Sequence, residues 1–289
     1  MPSTRFFWVD VFAQSPLTGN PLALIPDADG LTVEQMVAIA REFNQSETTF
    51  LVTPTSDAAD YRLRSFTPDG SEVLGAGHNA MGAWIWLSSS GRLPPQRTAF
   101  IQQIGSDLLP VRIDAGTVTM QQSPPRFLRR VLEREPLATA LGLALTDLDS
   151  ALSTEVVSTG AEHLMVALSS RGAVDRVVPE SAALKQLLAD SGAEGCYVYS
   201  IEPGADGADA YTRFFNPTVG IAEDPATGTA AGPLTAVLVR DGHAGEGQPV
   251  RILQGNSLGR PSILTVLVDG DRVELSGSGL IVAEGTLHL

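Results

Sequence analysis

One motif occurs twice in this chain, and the spacing of its copies constrains the fold more than any other feature. Arg64-Ser65-Phe66-Thr67-Pro68 is followed by Gly77-His78-Asn79-Ala80, and Arg213-Phe214-Phe215-Asn216-Pro217 by Gly228-Thr229-Ala230-Ala231. The arginines lie 149 residues apart and the glycines 151, in a chain of 289, so the spacing is close to half its length. Such a duplication predicts two similar half-molecules. Each would offer a strand, a loop and a glycine-led helix, and the chemistry is expected in a cleft between them.

The local pattern around each copy supports this. Thr48 to Val52 and Tyr61 to Phe66 read as strands before the first glycine loop; Tyr197 to Ile201 and Tyr211 to Phe215 read as strands before the second. Asn79 to Leu87 and Thr229 to Val239 are apolar on every side, as helices buried inside a sheet would be. Pro233 is expected near the first turn of the second helix, where proline is tolerated. A further, amphipathic helix starts at Thr32, with Gln35 completing a capping box, and carries Met36, Ile39, Ala40 and Phe43 at helical spacing up to Asn44. Asp10 to Phe12, Leu22 to Ile25, Phe100 to Ile104, Leu109 to Ile113, Val118 to Gln122, Glu155 to Ser158, His163 to Leu168, Val250 to Gln254, Ser262 to Val268, Arg272 to Ser276 and Leu280 to Leu289 read as strands. The expected class is α+β, with mostly antiparallel sheets around two buried helices.

Composition removes several function classes. The net charge of −14 argues against nucleic acid and against an anionic membrane surface, since both need a basic face. No stretch reaches 18 consecutive apolar residues, and Met1 to Asp10 lacks an apolar h-region, so neither a membrane span nor a signal peptide is expected. The single cysteine, Cys196, permits no intrachain disulfide and fits a reducing, cytoplasmic setting. Lys185 is the only lysine and lies off the apolar stripe of Leu184, Leu187 and Leu188, which argues against Schiff-base chemistry. The four histidines, His78, His163, His243 and His288, show no zinc-type spacing, so no metal site is expected.

The residues that could carry chemistry each have two readings. Gly75-Ala76-Gly77-His78-Asn79-Ala80 fits a dinucleotide fingerprint, but no acid follows between Ala80 and Ser106 and no βαβ unit opens the chain. The loop glycines Gly77 and Gly228 either allow tight packing or let a small organic acid approach a helix N-terminus, whose free N–H groups and positive dipole end favour carboxylates. Glu47, beside an apolar strand, is either a solvated edge acid or a desolvated carboxyl with a pKa raised toward the range of proton transfer. His78 is a structural hydrogen-bonder or a site residue, and Asp224 a helix-start cap or a site residue. Spacing alone reaches a two-lobed enzyme that holds a small anion.

The order of the motifs resembles the PhzF family of phenazine biosynthesis. Asp10-Val11-Phe12, Gly19-Asn20-Pro21-Leu22-Ala23, Asn44-Gln45-Ser46-Glu47-Thr48, the two repeated motifs, Ser158-Thr159-Gly160 with His163-Leu164-Met165-Val166, the run Gly220 to Gly232 around Glu223-Asp224-Pro225-Ala226-Thr227-Gly228, and Gln254-Gly255 with Gly259-Arg260-Pro261-Ser262 carry it over nearly the whole chain. The resemblance implies a diaminopimelate-epimerase-like fold: two pseudo-symmetric lobes, each a curled, mostly antiparallel sheet around a central buried helix. Lobe boundaries are expected at 1–122, joined by a last strand at about 278–289, and at 123–277, with the active site between the lobes. It implies a homodimer and a cofactor-independent, metal-free isomerase of the trans-2,3-dihydro-3-hydroxyanthranilate isomerase type, in which a glutamate moves a proton within a small cyclic carboxylic or amino acid. By motif match that glutamate is Glu47. His78 and Asp224 would help bind the substrate and steer its protons, and Gly77, Asn79, Gly228 and Thr229 would hold it. The alternatives are a silent small-acid binder or an isomerase of the same fold acting on another metabolite. Related epimerases use a cysteine before each glycine loop; here those places hold Ala76 and Thr227, neither of which can form a thiolate.

Overall fold

The computed structural model describes residues 3–289; Met1 and Pro2, the start of the stretch read as lacking an h-region, lie outside the described residues. The chain divides into two compact units, the first ending at Gln121 and regaining Ser276–Leu289, the second spanning Gln122–Leu275.

In chain order the first unit carries β1 (Ser3–Val11), β2 (Asn20–Ile25), α1 (Val33–Phe43), β3 (Thr48–Val52), β4 (Tyr61–Phe66), β5 (Glu72–Val73), α2 (His78–Ser89), β6 (Ala99–Ile104), β7 (Asp107–Asp114) and β8 (Thr117–Gln122). The second carries β9 (Arg126–Arg130), α3 (Arg134–Ala140), β10 (Glu155–Ser158), β11 (Glu162–Ala167), α4 (Arg171–Arg176), α5 (Ser181–Ser191), β12 (Gly195–Ser200), β13 (Ala210–Asn216), β14 (Ile221–Asp224), α6 (Gly228–Arg240), β15 (Pro249–Gln254), β16 (Ser262–Asp269) and β17 (Arg272–Gly277). β18 (Gly279–His288) closes the chain and pairs antiparallel with β1, from Val11↔Gly279 to Ser3↔His288.

The duplication is visible in the pairing. β1–β2 is antiparallel, β2–β3 parallel, β3–β4 antiparallel, β4–β5 antiparallel and β4–β6 parallel. The second unit repeats the sequence of hands in β10–β11, β11–β12, β12–β13, β13–β14 and β13–β15. A side-chain device is repeated too. Arg64 on β4 grips Glu72 on β5 through Nε and an Nη2 bond, both 2.7 Å, and its guanidinium lies 5.1 Å from the Phe66 ring centroid. Arg213 on β13 grips Glu223 on β14 in the same bidentate way, at 2.9 and 2.8 Å, with the Phe215 ring at 4.9 Å. The fork of a guanidinium matches a carboxylate, so each pair clamps the short strand that leads into the glycine loop.

The helices that follow are buried as their all-apolar sequences predict. α2 buries every residue from His78 to Leu87, and α6 buries ten, including Ala230 to Leu238. Each needs a glycine at the same place. A Cβ on Gly82 would overlap Leu22 and Val11; one on Gly232 would overlap Gln122 and Thr159. The polar tip of Trp84, fully buried in α2, is satisfied by donating from Nε1 to Gln102 Oε1 at 2.9 Å. α1 has both halves of its capping box, and Asn44 ends it in the left-handed region at φ 51°.

Two local expectations need correction. The first strand is Ser3–Val11 rather than Asp10 to Phe12; Phe12 leaves it at φ 61°. Its polar outer end, including Arg5, is held as strand by pairing with β18, a partner 279 residues away that local pattern does not reveal. Pro233 is the sixth residue of α6, beyond the first turn, so it removes the helical donor to the Thr229 carbonyl. Among the described residues no helix is long and apolar enough to cross a membrane.

Candidate functional site

In the first unit Glu47, Gly77, His78 and Asn79 come together. α1 ends at Asn44, two residues turn the chain, and Glu47 stands immediately before β3, an interior strand buried from its first residue, Thr48. His78 is the first residue of α2 and is 8% exposed. Its Nδ1 lies 3.2 Å from Glu47 Oε2. The contact is close but off the hydrogen-bond direction, so Oε2 is buried without a hydrogen bond, although the Glu47 side chain as a whole keeps 20% of its surface exposed. Burial raises Glu47 to about 7. A helix N-terminus and a nearby imidazole both favour a carboxylate, so desolvation outweighs them here.

The Asn79 side chain, on the first turn of α2, is bonded into the glycine loop rather than standing open beside it. Its Oδ1 accepts from Gly77 N–H at 2.7 Å, and its Nδ2 donates to Ser65 Oγ and to the Gly75 carbonyl, each at 3.1 Å. Ser65 in turn meets Thr49 Oγ1 at 2.9 Å. The Asn79 side chain therefore fixes the entry to α2, in a residue only 2% exposed.

In the second unit Asp224, Gly228 and Thr229 come together at the start of α6. Asp224 ends β14, is 8% exposed, and its Oδ2 accepts from Thr227 Oγ1 at 2.5 Å. Thr227 is the residue before the helix, and its backbone N–H donates to Gln254 Oε1 at 3.1 Å. Thr229 Oγ1 meets His163 Nε2 at 3.1 Å. His163 is 3% exposed, sits edge-on to the Phe214 ring at 5.1 Å, and is lowered by burial to about 4, so it is neutral near pH 7. Its Nδ1 is buried without a hydrogen bond. The tautomer with the proton on Nε2 leaves only a lone pair unmatched and makes His163 the donor to Thr229. The Thr229 hydroxyl hydrogen is then directed away from His163, ready to donate to an anion at the helix N-terminus.

His163, Gln254 and Thr227 stand out only in the structure. His163 and Gln254 lie in runs that carry the family resemblance, but nothing in those runs says that their side chains reach the α6 N-terminus. Thr227 was visible only as the residue in place of a thiol. Among the described residues no group of three or more His, Cys, Asp and Glu side chains is placed to hold a metal ion.

Comparison with known proteins agrees with this architecture. The profile of the phenazine biosynthesis-like protein family, PhzC-PhzF, matches residues 9–285. Trans-2,3-dihydro-3-hydroxyanthranilate isomerase of Pseudomonas fluorescens is 37% identical, over 97% of this chain and 98% of that protein. The crystal structure of the Bacillus anthracis phenazine biosynthesis protein of the PhzF family superposes with a TM-score of 0.92, at 27% identity, over the whole of both chains. A hydroxyproline epimerase from Agrobacterium vitis, 13% identical, shares the fold at a TM-score of 0.63 over 99% of this chain and 93% of that one. The fold is thus the α+β diaminopimelate-epimerase-like one and the protein an isomerase. This chain belongs to the PhzC-PhzF, or phenazine biosynthesis-like, family.

Proposed function

We propose that the protein moves a proton within a small cyclic carboxylic or amino acid such as trans-2,3-dihydro-3-hydroxyanthranilate, without a cofactor, and that Glu47 is the acid/base. The observation that carries this reading is the Glu47 carboxyl: an oxygen buried without a hydrogen bond, 3.2 Å from His78 Nδ1, and held near pKa 7. A base of that pKa is about half ionised at neutral pH, and its conjugate acid is equally available. The ionised carboxylate takes a proton from an activated C–H. The electron pair left behind shifts the double bonds, and the carboxylic acid, whose proton can exchange with solvent meanwhile, returns a proton to another carbon of the system. One C–H bond breaks, one forms, and the charge on Glu47 is restored. His78 lies where it can stabilise the carboxylate when the proton is away, while Asp224 and Thr229, with the first N–H groups of α6, supply an acceptor and donors for the polar groups of such a substrate.

The reading extends to a homodimer working in the cytoplasm. It is tested with trans-2,3-dihydro-3-hydroxyanthranilate in D2O without added metal or cofactor. Wild-type protein should isomerise it and incorporate deuterium; Glu47→Gln, folded by circular dichroism, should lose at least about a hundredfold in rate. Full activity of the folded variant would remove Glu47 from this role. Thermal protection by the compound with no exchange at all would favour a silent binder.

A further inference from the structure

Behind the α6 N-terminus runs a buried chain of side chains in which Gln254 fixes the direction of the hydrogens bonded to it. Gln254, fully buried on β15, makes four hydrogen bonds. Its Oε1 accepts from the Thr227 backbone N–H at 3.1 Å and from Tyr197 Oη–H at 2.9 Å; its Nε2 donates to the Asp224 carbonyl at 2.7 Å and to Thr227 Oγ1 at 3.0 Å. A backbone N–H can only donate and a carbonyl can only accept, so the amide cannot be turned round. Because Nε2 donates to Thr227 Oγ1, the Thr227 hydroxyl hydrogen is free for one other acceptor, Asp224 Oδ2 at 2.5 Å. On the far side Tyr197 spends its hydrogen on Gln254 and accepts from Thr212 Oγ1 at 2.9 Å. Thr212, Tyr197 and Gln254 are all fully buried, so no water competes for these groups.

We propose that Gln254 is a positioning residue: by fixing the direction of the Thr227 hydroxyl it holds Asp224 Oδ2 as a hydrogen-bond acceptor, which favours the carboxylate form of Asp224 where it meets the substrate. The inference rests on the reading above only for the statement that Asp224 touches substrate; the polarity of the chain stands on the hydrogen bonds alone. It divides labour among the acidic residues. Glu47, with an oxygen left unsatisfied, can change protonation state. Asp224, with a donor pinned to one oxygen, is biased toward the carboxylate.

Four neighbouring elements of the second unit do not undo this. Tyr197 on β12 is held neutral by burial and feels the charge of Asp224. Glu223 beside it on β14 is neutralised by the bidentate bond from Arg213 on β13. His163 on β11, lowered to about 4, brings no charge near pH 7. The turn Pro217–Val219 carries no ionisable side chain.

The decisive measurement is the titration of the Asp224 carboxyl, read by 13C NMR of aspartate-labelled protein and identified by difference from Asp224→Asn. Thr227→Val removes the donor and keeps the shape; its Asp224 midpoint should lie about one pH unit above wild type, the worth of one charge-assisted hydrogen bond. Thr227→Ser should return it to the wild-type value. Gln254→Glu puts an acceptor where Nε2 donates, pulls the Thr227 hydrogen away from Asp224, and should raise the midpoint at least as far. A midpoint that stays put in folded Thr227→Val, or that moves equally in Thr227→Ser, overturns the proposal. If Gln254→Glu does not fold, the two Thr227 variants decide alone. In the deuterium assay Thr227→Val should lose about tenfold in kcat/KM and Thr227→Ser little. Loss of the NMR effect with Glu47→Gln still inactive sinks only this inference; an NMR effect with Glu47→Gln fully active sinks only the functional reading.

Discussion

Gly195 holds in the second unit the register position that Glu47 holds in the first. The repeated motifs align Phe66 with Phe215, and these residues pair with Thr48 and Cys196 respectively. Glu47 stands one residue before Thr48, and Gly195 one before Cys196. Ser65, which in the first unit is small and bonded to Asn79, has Phe214 as its counterpart. The Phe214 ring fills the space a side chain at position 195 would need, since even a Cβ there would overlap it. One copy of the duplicated frame therefore carries a carboxyl at this place and the other is sealed by an aromatic ring. Gly195→Ala should cost about 1–3 kcal/mol by overpacking, measured as a fall in the denaturation midpoint. In Phe214→Ala the same substitution should cost much less. Equal costs in the two backgrounds would show that the ring does not set the constraint.

The pH dependence of stability should report Glu47 directly. Its carboxyl is raised from 4.5 to about 7, so the folded state binds the proton more tightly than the unfolded chain. The stabilisation from this proton is complete below about pH 4.5 and is lost as pH rises through 7. The difference is about 3 kcal/mol, as an order of magnitude. Glu47→Gln should be more stable than wild type at pH 8 by up to that amount, and the two should converge near pH 4. Urea midpoints across that range measure it; a variant less stable than wild type at pH 8 would contradict a desolvated carboxyl.

His163 should act in the opposite direction. Burial lowers it from 6.5 to about 4, so its contribution is complete above 6.5 and is lost as pH falls through 4. Again about 3 kcal/mol is at stake. His163→Gln should cost about 1 kcal/mol at pH 7 through the lost bond to Thr229, yet unfold less steeply in acid than wild type. A parallel acid slope in the two proteins would mean that His163 does not carry the penalty.

What could be read from the chain alone follows the range of the interactions involved. The helix at Thr32, the strands at Thr48 and Tyr61 and both buried helices leave a short-range signature, and capping chemistry or periodicity shows them directly. The repeat showed that the pattern occurs twice and holds His78, while Glu47 and Asp224 sit outside it, in other runs that carry the family resemblance. β5 and β14 were missed because two to four residues held by an arginine clamp have no period. The roles of His163 and Gln254 were illegible for a different reason. Each reaches the α6 N-terminus from a strand distant in sequence, 66 residues from Thr229 in one case and 27 from Thr227 in the other. Asn79 was read at the start of the buried helix, where it lies, but the commitment of its side chain to Gly75, Gly77 and Ser65 depends on a strand 14 residues earlier.

The two arginine clamps share a geometry but not a burial, and their energetics should differ accordingly. Arg64 and Glu72 keep 20% and 32% of their side-chain surface exposed; Arg213 and Glu223 keep 9% and 12%. Arg213 also donates from Nη1 to the Val174 and Val177 carbonyls at 3.0 and 2.8 Å, adding to the Val177 N–H bond at the first and supplying the second at the end of α4. Removing Arg213 would leave the buried Glu223 without its ionic partner, with only Ser257 still donating to it, and would take a donor from the Val174, Asp175 and Val177 carbonyls. Arg213→Met should cost about 3–5 kcal/mol, whereas Arg64→Met, whose carboxylate can turn to water, should cost about 1 kcal/mol or less. Salt separates them further. Raising the ionic strength should shrink the Arg64→Met loss by screening an accessible pair and leave the Arg213→Met loss nearly unchanged. Chemical denaturation in urea with and without added sodium chloride measures both, and losses of equal size with equal salt dependence would show that the duplicated geometry, not the burial, sets their strength.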